Sequence, residues 1–156
     1  MSKIRFITIL LTAAVLFFTF LPVSTHAAMT NDDFLNGVTD VYSVTYDNHS
    51  CSSRLPSCLV SSSTAPFDND ITTGFTAQYG KIVFPEPVDI SVIKIKAGSV
   101  FNRFIDVYQQ GVPGYYRITE RQGLVSDGVI NVNFKKVTQI YTYNLTLYEI
   151  EFYGPD

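Results

Sequence analysis

The feature that most narrows the folds open to this chain is the texture of its second half. From residue 81 to residue 153, short runs rich in Val, Ile, Tyr and Phe recur, broken by Gly, Pro, Asn or Asp about every eight to twelve residues. The runs span 81–84, 90–97, 104–109, 115–119, 129–134, 137–143 and 146–153. Within Val92-Ile93-Lys94-Ile95-Lys96 the isoleucines and lysines alternate. They therefore take opposite faces of a strand, the pattern of an antiparallel sheet with one face in water. No apolar period of 3.6 residues follows residue 27, so helices beyond a turn or two are not expected. With one earlier strand read within 38–46, the chain is expected to be all-β, an antiparallel two-sheet sandwich or jelly roll of about eight strands.

Residues 1–27 read differently. Lys3 and Arg5 precede an apolar run from Phe6 to Val23, and Thr25-His26-Ala27 follows with small residues at its ends. This is the pattern of a secretory signal peptide cleaved after Ala27, and it predicts a secreted, extracellular protein. The segment carries two of the eleven basic residues and none of the fourteen acidic ones, which leaves nine against fourteen, a net charge of −5. Nucleic acid and anionic lipid are bound largely through Lys and Arg, so neither is an expected partner, and membrane binding is not expected. The 129 residues that remain suit one domain with a real core.

Within that domain, residues 28–63 form an N-terminal segment and residues 64–156 the remainder. The N-terminal segment has a single apolar run, Val38 to Tyr46, and then the only two cysteines, Cys51 and Cys58, with six residues between them. In an exported chain an isolated pair at this spacing predicts a disulfide. A loop so short gains ~2–3 kcal/mol from closure in the chain-entropy model, enough to pin a loop but not to define a fold. A zinc site would need two further ligands, and His49 is the only histidine beyond residue 27 to supply one. His49 itself reads as a solvated loop residue, and Ser61-Ser62-Ser63-Thr64 as a polar spacer.

The spacer leads into Pro66-Phe67-Asp68-Asn69-Asp70-Ile71-Thr72-Thr73-Gly74-Phe75. Asp68, Asp70 and Thr73 stand at offsets 0, 2 and 5, and oxygen groups so spaced suit a hard cation such as Ca²⁺. The same residues also build hydrogen-bonded Asx and ST turns, so the spacing leaves both readings open. An EF-hand is excluded, because Thr72 and Thr73 stand where that loop needs an Asp or Asn and then a Gly.

Two stretches together carry a family resemblance: Asp68-Asn69-Asp70-Ile71-Thr72-Thr73-Gly74-Phe75 and the terminal Glu149-Ile150-Glu151-Phe152-Tyr153-Gly154. The pair resembles the discoidin family, also called the coagulation-factor type C domain, and its relatives the family 32 carbohydrate-binding modules, over residues 60 to 154. That family carries an Asp-Gly-Asp-x-x-Thr-x-Trp loop and a Glu-Ile-Glu-Val-Tyr-Gly strand on a jelly roll. Here Asn69 replaces the middle Gly, a mild change because Asn tolerates positive φ. Phe75 replaces the Trp as an anchor in the core. Tyr108-Gln109-Gln110-Gly111 is a degraded form of a frequent Ser-x-Asp-Gly hairpin.

The resemblance implies a structural Ca²⁺ held by Asp68, Asp70, Thr73 and Glu149, with Phe67 and Tyr148 as carbonyl donors. Otherwise Glu149 is a surface strand residue beside Glu151. It further implies ligand groups at Gln78 and Tyr79, at Lys96, Asn102 and Arg103, and at Tyr143. The expected function is that of a secreted, non-catalytic carbohydrate-binding or adhesion module, a lectin for a glycan or cell-surface glycoconjugate. The alternative is a discoidin-like domain that binds a protein or lipid instead. Catalysis is not expected. His49 is the one neutral-pH base left, and the close carboxylate pairs Asp68/Asp70 and Glu149/Glu151 read as mutually exposed.

Overall fold

A computed structural model describes residues 27–52 and 55–155. The expected leader lies outside the described residues except for Ala27. No helix among the described residues is long and apolar enough to cross a membrane.

Six strands are present among the described residues: β1 (Tyr46–His49), β2 (Leu59–Ser63), β3 (Phe75–Ala97), β4 (Ile105–Gln109), β5 (Tyr116–Ile118) and β6 (Asp127–Tyr153). Their hydrogen-bonded order is β2-β1-β3-β6-β4-β5. β3 and β6 are long because each turns a corner and serves two layers. The first arm of β3 runs beside the middle of β6, from Phe75 opposite Leu147 to Val83 opposite Gln139. Partner numbers fall as strand numbers rise, so the arms are antiparallel. The second arm of β3 lies between the two ends of β6: Val92 faces both Asn131 and Tyr153, and Lys96 faces both Asp127 and Glu149.

The corners have local causes. Pro85 and Pro87 offer no N–H to the ladder at the bend of β3, and Lys136 breaks β6 with a φ of 51°. The result is a two-sheet sandwich, a six-stranded layer against a three-stranded one. Ile82, Ile105, Val107 and Ile140 from the first layer share one core with Ile93, Ile95, Ile130, Ile150 and Phe152 from the second. The rings of Phe84 and Phe152 meet edge-on at 5.4 Å. The seven expected runs of the second half all fall in strands, but the last three are arms of the single strand β6, and 81–84 and 90–97 are arms of β3.

The N-terminal third departs most from expectation. The strand read within 38–46 is replaced by a helical turn, α1 (Val38–Val41), before β1 begins at Tyr46. This turn is held from outside by Thr39 N–H, which donates to Glu151 Oε1 at 2.7 Å, and closed on itself by Tyr42 N–H, which donates to Val38 O at 3.2 Å. Gly37 is required there, since a Cβ on it would stand 2.0 Å from the Glu151 side chain. The supposed spacer is also a strand, β2, whose Ser61, Ser62 and Ser63 lie opposite Asn48, Asp47 and Tyr46 of β1. An exposed edge strand needs no apolar alternation, so its composition did not mark it.

The hairpin between β1 and β2 is closed by the Cys51–Cys58 disulfide, with 5.7 Å between the Cα atoms. Ser50 N–H donates to Cys58 O at 2.7 Å beside it. His49 is not a solvated loop residue. It belongs to β1, opposite Leu59 and Tyr79, and is only 3% exposed.

Candidate functional site

The acidic loop is built by its own side chains. Asp70 N–H donates to Asp68 Oδ1 at 3.0 Å, and Thr73 Oγ1 donates to Asp68 Oδ2 at 2.9 Å. Thr72 N–H and Oγ1 both donate to Asp70 Oδ1, at 2.9 and 2.6 Å. These bonds hold the Asp70 carboxyl below the usual carboxylate range, the Thr72 hydroxyl contributing most. Asn69 takes a φ of 60°, the left-handed conformation that Gly or Asn supplies most easily. Asn31 Oδ1 accepts the Ile71 N–H at 3.0 Å and ties the loop to the N-terminal segment.

The terminal strand meets this loop at Glu149, and here the surface reading fails: Glu149 is fully buried and Glu151 is 1% exposed. Their environments differ. Glu151 accepts the N–H groups of Thr39 and Phe152 at 2.7 and 3.0 Å. Neither carboxylate oxygen of Glu149 has a hydrogen-bond partner. Lys96 stands directly across from Glu149 in the ladder, yet its ammonium pairs with Asp127 instead.

Burial first, then the negative charges of Asp68 and Glu151, push the Glu149 carboxyl up to about 8. The main-chain N–H groups of Asn69 and Asp70 act the other way, but without a well-formed bond they leave the carboxylate uncompensated. A buried carboxylate with both oxygens free, facing a second carboxylate, suits a cation. Glu149 and Asp68 with the Thr73 hydroxyl would be the side chains to hold a hard ion, with main-chain oxygens as the remaining ligands. No three Asp, Glu, His or Cys side chains converge as a metal-type group among the described residues. Asp70 spends a carboxylate oxygen on Thr72. Phe67 directly precedes Asp68 and packs against the core. Tyr148 precedes Glu149 and lays its ring beside Gly74, where a Cβ would stand 2.7 Å from Cδ1.

A second group forms on the outer face of the six-stranded layer. Tyr79 of β3 and Tyr143 of β6 lie opposite one another, with ring centroids 5.6 Å apart. Phe104, just before β4, stacks on Tyr143 at 5.5 Å with only 7° between the planes. The Arg117 guanidinium of β5 covers the Phe104 ring at 3.8 Å. Asp106, 1% exposed, holds Arg117 through two bonds of 2.7 Å, and that hydrogen bonding raises the Arg117 pKa further.

Three stretches far apart in sequence thus supply one stack, with Asn102 and Arg103 at its edge through their connection to Phe104. Asn102, Arg103, Phe104, Arg117, Thr119, Glu120 and Arg121 line an open depression of about 350 Å³. Of the residues expected to bind ligand, Tyr79 and Tyr143 touch, and Asn102 and Arg103 directly precede Phe104 and line the depression beside it. Gln78 is exposed and donates its N–H to Asn48 Oδ1 at 2.8 Å, while Lys96 is engaged by Asp127. Phe104, Arg117 and Arg121 escaped the sequence reading. The one signal for Arg117 was its place between aromatic and apolar neighbours in Tyr115-Tyr116-Arg117-Ile118.

No family model matches the sequence, and no curated protein does. Solved structures do match. The module CpGH89CBM32-6 produced by Clostridium perfringens aligns with a TM-score of 0.50 at 14% identity, over 77% of this chain and 100% of that one. An F5/8 type C domain from Bacteroides fragilis aligns at 0.48 and 15% identity, over 76% and 94% of the two chains. A chitosan-binding module from a chitosanase/glucanase of Paenibacillus sp. IK-5 aligns at 0.44 and 14% identity, over 71% and 93%. At such identities the likeness speaks for architecture alone. The corner-turning strands, the two layers and the alignment with the Clostridium perfringens module agree, and the fold of this chain is that of the discoidin-like family 32 carbohydrate-binding modules.

Proposed function

We propose that this protein is an exported, non-catalytic carbohydrate-binding module whose acidic loop and last strand share a structural Ca²⁺. The observation that carries the reading is the convergence of Tyr79, Phe104 and Tyr143 into one stack with Asn102 and Arg103 at its edge. Sugars are held by an aromatic surface together with a few side-chain donors and acceptors, and an amide and a guanidinium beside stacked rings supply both. The fold is one on which solved structures named as carbohydrate-binding modules are built.

The ion belongs to the same reading because Glu149 is buried with neither oxygen satisfied. A divalent ion would offset that charge and link the loop at 68–73 to the strand that ends the domain. Glycan-array binding of the chain from residue 28, with millimolar calcium and with EDTA, tests both parts. The expected result is binding to a defined set of glycans that weakens in EDTA. An array with no glycan bound at millimolar calcium overturns the sugar reading, and unfolding behaviour identical in calcium and EDTA overturns the ion.

A further inference from the structure

We infer that the depression beside Phe104 takes the negatively charged substituent of an acidic glycan, a carboxylate or sulfate oxygen group, with Arg103 and Arg121 as its donors. The inference rests on the glycan reading above and adds the class of sugar. Its ground is the placement of arginine. The chain beyond residue 27 has four arginines, and the three that lie among the described residues, Arg103, Arg117 and Arg121, all line this one depression. In a domain carrying −5 overall, that is a local reversal of sign rather than a generally basic surface.

The three arginines are not equivalent. Arg117 is committed, since Asp106 takes two of its N–H groups and the Phe104 ring takes its face. It is a fixed wall. Arg103 and Arg121 make no ion pair among the described residues, and the Arg103 Nε is buried with no acceptor. A buried N–H left without a partner is costly, and an anion drawn to the Arg103 guanidinium is one acceptor that would relieve it. Glu120 is the one acid among the lining residues. The turn that carries it is closed on itself through the Gln122 side chain, which accepts the Thr119 N–H at 3.1 Å.

At about 350 Å³ the depression lies at the small end of ligand sites, suited to one sugar unit. The guanidinium fork matches the oxygen spacing of carboxylates and sulfates, which is why arginine rather than lysine suits this task. The stacked aromatics beside it give the neighbouring sugar ring a surface to lie on.

The test is calorimetric titration with three probes: tetragalacturonate, its full methyl ester, and a κ-carrageenan tetrasaccharide, which carries sulfate but no carboxylate. The expected result is at least a tenfold preference for one of the two acidic probes over the ester, which also tells carboxylate from sulfate. That preference should shrink as salt rises from about 50 to 300 mM, because charge pairing in an open site is screened. Arg121→Gln should collapse the acid-over-ester ratio towards one, and Arg121→Lys should restore part of it. Arg121 is exposed, so these variants should fold, and a thermal melt confirms it. Equal affinity for acid and ester, or a ratio untouched by Arg121→Gln, overturns this inference while leaving the glycan reading in place. Binding to no probe, with no neutral glycan bound on the array, removes both.

Discussion

Two regions of this molecule set a charged side chain against the body of the sandwich, and they solve the problem in opposite ways. On the outer face of the six-stranded layer, Arg117 is matched by a buried Asp106 through two hydrogen bonds and by the Phe104 ring. At the end of β6, Glu149 is deeper, with no well-formed hydrogen bond to either oxygen and only the nearby Asn69 and Asp70 N–H groups to favour its charge. Desolvation is costly in both places, so a charge persists only where something offsets it. The stack is complete from the chain's own residues, whereas the acidic loop is complete only with a proton or a cation on Glu149. Glu151 makes the contrast sharper. Two positions along the same strand and equally buried, it is satisfied by the Thr39 and Phe152 N–H groups.

The largest effect is expected from breaking the balanced region. Arg117→Ala would leave Asp106 buried and unpaired, turning the stack into a second Glu149. A loss of ~3 kcal/mol is expected in urea unfolding at pH 7, the low end for orphaning a buried partner because water reaches the Arg117 side of the pair. Asp106→Asn with Arg117→Gln, which removes both charges together, should recover most of it. A single variant as stable as the parent would mean that Asp106 is not held by Arg117.

Next in size is the unbalanced region, read through pH. A carboxyl raised to about 8 keeps a proton in the native state that the unfolded chain releases above its ordinary value of 4.5. The unfolded state therefore binds fewer protons in that window. Stability is fully present below about pH 4.5 and is lost as pH rises towards 8. In EDTA the melting temperature should fall by roughly 5–10 °C between pH 5.5 and pH 8, what ~2 kcal/mol is worth in a domain near this size. Millimolar calcium should remove the fall, since an ion bound only by the native state stabilises by mass action. Glu149→Gln should abolish both the pH slope and the calcium response. A melting temperature flat across this range in EDTA would show that Glu149 is compensated after all.

The smallest expected effect comes from Tyr143→Ala. It removes the ring between Tyr79 and Phe104 and is expected to weaken glycan affinity about tenfold, the weight of one aromatic stacking contact of ~1–1.5 kcal/mol, read at a temperature where the variant is folded. If affinity is unchanged, the sugar does not use the stack.

How much of this was legible depends on how local the cause is. The β texture from residue 81 onward was plain, because burial on one face writes an alternation into Val92-Ile93-Lys94-Ile95-Lys96. The disulfide was legible from two isolated cysteines. β2 was not, since an exposed edge strand of Leu59, Val60 and three serines has no face to bury. α1 was not, because Val38–Val41 reads as a strand and becomes a helical turn where Glu151, 112 residues later, accepts the Thr39 N–H. Lys96 misled in another way. Its position suggested a ligand group, and only the ladder shows that it stands across from Glu149 while serving Asp127.

By itself, then, the sequence determined an all-β sandwich, a bridged loop and an oxygen-rich turn, because each follows from residues within a few positions of one another. Which carboxylates are buried, which cations answer them, and that Tyr79, Phe104, Arg117 and Tyr143 form one surface were decided by the corners of β3 and β6. Those corners bring together side chains dozens of residues apart, and burial and charge pairing depend on distance in space.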